Sequence, residues 1–485
     1  MRVRYQICNK TNMKQILRNI LLFVLIIHIS SSMFSQYTLS GYVKDAGSGE
    51  ALIGASVYIE NQNIGVATNI YGFFSLSAKE ERCDIKISYV GYEDYKTSII
   101  LEKHTRINIE LIDKSGVLQE VIVEAEASDN NTTGTQMGEI ELSMDKLKTL
   151  PAFMGEVDIL KTIQYLPGVQ SGGEGNTGFY VRGGGPDQNL ILLDEATVYN
   201  ASHLFGFFSV FNADAIKNVK LIKGGMPSNY GGRLASVLDI TMKDGNYKSY
   251  HADGGIGLIA SRLTVQGPIK KDTSSFILSG RRTYIDVLTK PFVNDSAAMA
   301  GSGYYFYDLT AKLNWRITDK DRLYLSGYFG RDVFTFKNND LDLEFNVPWG
   351  NATASLRWNH LFNDKLFVNT TAVITDYNFA FEGVQSQFKF KLASGIRDLN
   401  LKQDFTFYHS TRHNIKFGWN YTLHRFIPSS VSASSDDVEF NTGETVKIYG
   451  NESAVYILDE VDINENFKVN VGFRLSMYQH IGPFT

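Results

Sequence analysis

Cysteine is almost missing from the 485 residues: Cys8 and Cys83 are the only two, and the first lies in a segment expected to be removed. A single remaining thiol builds neither a disulfide framework nor a thiolate metal site. Charge of one sign is also scarce, with a net of −5 from 47 basic and 52 acidic residues, so no basic face offers itself to nucleic acid. Nine prolines among 42 glycines and a 43% hydrophobic content exclude a disordered or collagen-like chain. Long apolar runs are absent too. The eight residues Ile20 to Ile27 fall far short of the ~20 that span a membrane as a helix. Any embedding in lipid must therefore be as a barrel.

What is present begins with an export signal. Arg2, Arg4, Lys10, Lys14 and Arg18 precede the apolar run, and Ser30 to Gln36 is small and polar enough for cleavage, so residues 1–36 read as a signal peptide. Residues 37–112 alternate apolar and polar in short runs: Tyr37 to Val43, Ala51 to Ile59, Gly72 to Leu76, Ile85 to Val90 and Ile107 to Leu111. Strands so spaced, with turn residues between them, predict a small β-sandwich. Their order, with the Asn69-Ile-Tyr-Gly-Phe-Phe74 turn, resembles the carboxypeptidase regulatory-like domain, which has an immunoglobulin-like fold. A zinc peptidase would need a His-x-x-Glu pair, and none of the nine histidines is followed by Glu at that spacing. The sandwich is expected to be an appendage without chemistry of its own.

Residues 113–145 read as a polar connector with one apolar island. Within it Glu120-Val121-Ile122-Val123-Glu124-Ala125 is β-prone, able either to add as a strand to a partner's sheet or to dock on its own domain. Residues 146–245 read as a mixed α/β unit, with a helix from Val157 to Leu166 stopped by Pro167-Gly168 and strands at Phe179–Val181, Leu190–Leu193 and Val219–Ile222. Gly183-Gly-Gly lacks the Lys-Ser/Thr of a phosphate loop, so sharp turns explain the glycines better than a nucleotide site.

Three motifs then follow in order over about 60 residues. They are Gly178 to Asp194, with Arg182, Gly183 and Gly184; Ile216 to Gly225, with Gly224 and Gly225; and Tyr230-Gly231-Gly232-Arg233 running on to Ile240. Together they resemble the plug of a TonB-dependent outer-membrane receptor. The resemblance implies that Glu120 to Ala125 is the TonB box. It also implies a TonB energy-transducing partner, capture of a scarce nutrient by extracellular loops and plug apices, and no catalytic, cofactor-binding or metal-binding residues. Ser128-Asp-Asn-Asn after the box lacks the Gly-Tyr-Gly ending of the starch-uptake class, which weighs against an oligosaccharide. Arg182 and Arg233 would sit in a polar lumen and anchor the plug to wall carboxylates, or else close local turns.

Residues 246–485 hold all four tryptophans, Trp315, Trp349, Trp358 and Trp419, and alternate with period two. Leu309, Leu313 and Trp315 face away from Thr310, Lys312 and Asn314; Leu356 and Trp358 from Ser355 and Arg357. Such runs of ~9–11 residues fit lipid on one face and a polar lumen on the other. Short turns at 270–272, 318–321, 363–364, 409–412 and 464–466 alternate with longer loops at 287–303, 337–347 and 427–451, the outer-membrane pattern. His409 and His413 flank one such turn, as a metal pair or as solvated side chains, and Ser434 to Glu439 is an acidic loop. The expected fold class is thus mainly β: an immunoglobulin-like sandwich, a mixed α/β plug and a partial antiparallel transmembrane barrel. It has about 11 of the 22 strands of a plugged transporter, so a truncated or fragmentary wall is expected. The expected place is the outer membrane, in contact with its lipid, with appendage and plug facing the periplasm. A surface receptor or adhesin without transport, or a non-functional truncated fragment, is the alternative.

Overall fold

The computed structural model describes residues 37–114, 138–144, 147, 156–173, 176–292, 300–435, 438–441, 446–464 and 467–482. The expected signal peptide and TonB box lie outside them. The first unit contains β1 (Thr38–Asp45), β2 (Ser56–Ile59), β3 (Ile64–Ala67), β4 (Phe73–Ser77), β5 (Arg82–Ser88), β6 (Tyr95–Ile100) and β7 (Thr105–Leu111). Sheets ordered β4-β1-β7 and β3-β2-β5-β6 close over Leu39, Val57, Phe74, Ile85, Ile87 and Ile109. Two of these strands carry too weak a pattern to be read in advance. β3 is four residues with a glycine, and β6 exposes most of its side chains. The sandwich packs on the third unit through Tyr42, Tyr71 and Phe73, which share a core with Tyr324, Leu361, Phe367 and Tyr408.

The second unit has β8 (Glu139–Ser143), a helix at Ile159–Ile163, β9 (Val169–Ser171), β10 (Phe179–Val181), β11 (Asn189–Leu193) and β12 (Ala196–Thr197). It continues with β13 (Ser202–His203), β14 (Phe208–Ser209), β15 (Ile216–Lys223) and β16 (Ser236–Met242). Its main sheet is ordered β12-β11-β16-β15-β8, with β11 parallel to β16. The helix is shorter than its apolar period suggested. Asp158 caps it by accepting from the Lys161 amide at 3.0 Å, and Gly168, at φ +77, turns the chain beyond Pro167. β8 falls in the stretch read as connector, yet pairs with β15 from Ser143–Asn218 to Glu139–Ile222. The plug sheet therefore reaches back to residue 139, recruited by tertiary pairing rather than by local pattern.

The third unit is one antiparallel sheet: β17 (His251–Ile256), β18 (Ala260–Lys270), β19 (Ser274–Thr283), β20 (Gly303–Arg316), β21 (Asp321–Asn338), β22 (Leu343–Leu361), β23 (Leu366–Gln385), β24 (Phe388–Tyr408), β25 (His413–Ser435), β26 (Val438–Asn441), β27 (Ile448–Asn464) and β28 (Phe467–Ile481). Eleven strands run in sequence order, and β26 pairs off the path with β25. The polarity is inside out. Thr310, Lys312 and Asn314 are buried against the plug while Leu309, Leu313 and Trp315 are exposed. The strands exceed the ~9–11 residues expected. β25 has 23 residues, roughly 78 Å at ~3.4 Å per residue. The loop expected at 337–347 contracts to the stretch between Asn338 and Leu343, and strand fills much of 427–451. The polar residues there suggested loops, but a cross-strand aromatic ladder, Phe336–Phe345–Phe381–Phe390, continues the pairing. Among the described residues β17 and β28 do not pair with each other, so the wall is open.

Candidate functional site

One part of the seam between plug and wall is built from the plug's carboxylates. At the β11–β12 turn, Asp194 and Glu195 both take left-handed backbone angles, φ +46 and +71, a strained arrangement for two consecutive non-glycine residues. It aims two carboxylates at the inner face of the wall. Asp194 accepts from the Met242 amide at 2.9 Å and pairs with Lys312 at 3.0 Å, and Lys312 also meets Asp244 at 3.0 Å. Glu195 reaches Arg357 at 3.3 Å and Lys402 at 3.8 Å, and Asn369 donates to it at 2.9 Å. Charges this deeply buried are held by such partners because desolvation costs several kcal/mol per ion.

A second clamp centres on His203, at the start of the plug's apical turn. Its ring lies 2.6 Å from Asp332 and 2.7 Å from Asp308 of the wall and stacks on Phe306 at 4.0 Å. Burial opposes its charge, but the two aspartates prevail and raise its pKa to about 9. Arg281 bonds Asp308 at 2.6 Å, Tyr328 donates to Asp308 at 2.8 Å, and Arg262 holds Asp214 of the plug at 2.7 Å.

Of the two roles open to Arg182 and Arg233, wall anchor or local turn, the contacts among the described residues are local. Arg182 is exposed, at φ +49, and lies against the Gly224 backbone; among the described residues it has no wall partner. Arg233 donates to the Gly232 carbonyl at 2.8 Å and stands 6.0 Å from the Tyr199 ring, near Glu452 without pairing to it. The seam uses both polarities: at Asp194 and Glu195 the plug supplies acids to wall bases, and at His203 it supplies a base to wall acids. Of the glycine motifs, Gly183-Gly184 turns the chain after β10 and Gly224-Gly225 after β15. Gly231 lets the Arg474 guanidinium of β28 come close, since a Cβ there would lie 2.5 Å from its Nε and would push that side chain aside. Tyr230 donates to Asp239 at 2.8 Å inside the plug. Asp194 stood in the motif, and Lys312 and Arg357 on the polar face of the predicted strands. Glu195 and His203 carried no signal, and only acids at the end of an apolar run could have been matched to inward bases.

At the end of the wall opposite the short turns, Leu204 and Phe205 are again left-handed, at φ +48 and +52. Phe205 is 61% exposed and rests 4.8 Å from Trp349 and 5.5 Å from Phe334, an aromatic platform open to a ligand. A cavity of about 110 Å³ between plug and wall is lined by Tyr199, Arg233, Asp398, His424, Glu452 and Arg474 among others. His413 is turned to Asp459 at 2.8 Å, and among the described residues no three His, Cys, Asp or Glu side chains converge for a metal. Ser434 and Ser435 pair with Glu439 and Val438, so the described ends of the acidic stretch are paired strand.

Comparison with known proteins matches two family models: the CarboxypepD_reg-like domain over residues 39–123 and the TonB-dependent Receptor Plug Domain over 148–237. The chain is 28% identical over 240 residues to the TonB-dependent receptor SusC of Bacteroides thetaiotaomicron, covering 47% of this chain and 23% of that protein. In fold it is similar to the siderophore receptor PirA from Acinetobacter baumannii (TM-score 0.52, 17% identity, 74% of this chain and 58% of that one). It is also similar to the outer membrane transporter YddB from Escherichia coli (TM-score 0.53, 12% identity, 71% and 57%). The chain thus spans under a quarter of the curated relative's length and under three fifths of these solved chains.

Proposed function

For a chain that carries a TonB-dependent receptor plug behind a carboxypeptidase regulatory-like domain, on the fold of those receptors, we propose energy-coupled uptake of a scarce nutrient across the outer membrane. The protein resides in that membrane, its plug toward the periplasm. The observation that carries the reading is a plug seated inside an inside-out wall through ion pairs, Asp194–Lys312 and Glu195–Arg357, beside one apolar patch where Phe208 clusters with Phe306 and Trp349. Ion pairs of this kind can be broken and remade without unfolding the plug. Cargo from the siderophore, cobalamin, glycan or peptide classes would settle on the Phe205 platform. A pull by TonB on Glu120 to Ala125 would then shift the plug along its seam. No bond of the cargo is made or broken, and enclosure of the lumen requires further strands to pair β17 with β28.

Deleting residues 120–125 is expected to abolish energy-dependent uptake while leaving ligand binding at the cell surface intact. Uptake that survives the deletion would sink the transport mechanism and leave a surface receptor or adhesin.

A further inference from the structure

The sandwich occupies the end of the lumen through which cargo would leave. Tyr42, Tyr71 and Phe73 are buried against inward-facing wall residues. Tyr71 lies 5.4 Å from Phe367 and 5.9 Å from Tyr324, Phe73 lies 5.8 Å from Phe367 and 5.9 Å from Tyr408, and Arg322 sits 3.5 Å over Tyr42. The short wall turn between β22 and β23 is gripped from the same side. Asp364 takes Arg106 at 2.7 Å and Ser40 at 3.0 Å, and Ser75 donates to its carbonyl at 2.6 Å. The segment joining plug to wall is held as well. The Tyr247 amide donates to the Ser48 carbonyl at 2.7 Å, and Lys248 bonds the Ala46 carbonyl and Glu110, both at 2.8 Å.

One residue links this seat to the plug. Arg357 stands 5.7 Å from the Tyr71 ring and 3.3 Å from Glu195, so the stopper and the plug anchor share a guanidinium. Displacing Glu195 removes the partner that orients Arg357 beneath Tyr71, and withdrawing Tyr71 opens the same arginine to water.

We propose that the sandwich is a second, removable closure of the lumen, seated by Tyr42, Tyr71, Phe73 and Asp364 below the plug, and that cargo leaves only when it unseats. This rests on the transport reading above. It makes the domain an autoinhibitory stopper whose release accompanies movement of the plug.

The test is thiol accessibility in cells producing the chain together with the strands that close its wall, in a Cys83→Ala background, with a maleimide that crosses porins but not the inner membrane. Ser75→Cys reports the seat, Ser98→Cys on exposed β6 gives the unhindered rate, and Asn212→Cys reports the plug seam, where Asn212 donates to Ser279 of the wall at 2.7 Å. In cells lacking TonB, Ser75→Cys should react at least about tenfold more slowly than Ser98→Cys, since labelling of a closed site tracks its open population; with TonB active the rates should converge. Adding Asp364→Ala should speed Ser75→Cys labelling without TonB. Fast labelling at Ser75→Cys in both strains would show that the seat does not form. Slow labelling in both would overturn the stopper. If Asn212→Cys then still responds to TonB, the transport reading stands without it, and silence at both sites removes the two together.

Discussion

Lys312 concentrates the seam's dependence on a single side chain, because it neutralises Asp194 and Asp244 at once. Lys312→Met leaves two buried carboxylates facing each other and should cost about 3–5 kcal/mol, read as loss of protease protection of the plug. Asp194→Asn in the same chain should recover part of that loss. His203 gives the seam a pH limit. Its folded pKa of about 9 lies above the ordinary 6.5, so its contribution is complete below the lower value and is lost as pH rises through the upper one. Plug protection should therefore hold through neutral pH and fall toward pH 9, and His203→Gln should flatten that dependence. A protection curve unchanged by the substitution would exclude the clamp. At this scale the sequence was partly legible. Lys312 and Arg357 showed themselves by alternation, whereas His203 meets Asp332 across 129 residues, a pairing that no local pattern encodes.

Among the elements, the strands of the wall were legible in kind and face but not in length. Alternation assigns Leu309 and Trp315 outward, and both are exposed. Leu309→Arg, near the middle of the apolar band, should cost ~2–4 kcal/mol in folding titrations in lipid, and Trp315→Arg, close to the short turn, ~0–1. Equal penalties would mean that the membrane does not lie where the alternation places it. The overlong strands escaped because polar side chains such as Lys337, Asn338 and Glu344 resemble loop residues, and the ladder that pairs them across β21, β22 and β23 is non-local. β8 escaped for the same reason, since its five residues become a strand only against β15. The glycine motifs were legible as turns, while their closeness to Arg182 and Arg474 followed only from the assembled fold.

For the whole molecule, the open sheet is the governing fact. Edges at β17 and β28 that are unpaired among the described residues leave backbone groups unsatisfied in lipid, so these 485 residues expressed alone should show neither heat-modifiable migration nor protease resistance of the wall. A heat-modifiable, resistant species would mean that the edges find each other. The alternation of short turns with longer loops pointed to a barrel and the strand count to half of one, but the burial of the sandwich in the lumen mouth had no precursor in its own alternating strands. The left-handed turn at Asp194 and Glu195 also sets a timetable. Asp194 finds Lys312 on β20 and Ser355 on β22, 161 residues along for the latter, and Glu195 finds Arg357 on β22, Asn369 on β23, 174 residues along, and Lys402 on β24. Contacts so distant in sequence form slowly. As successive strands join the sheet, each adds a partner to the same two-residue turn, Ser355 to the Asp194 carbonyl and the others to the side-chain carboxylates, so the turn works as a ratchet that fastens the plug by stages during assembly.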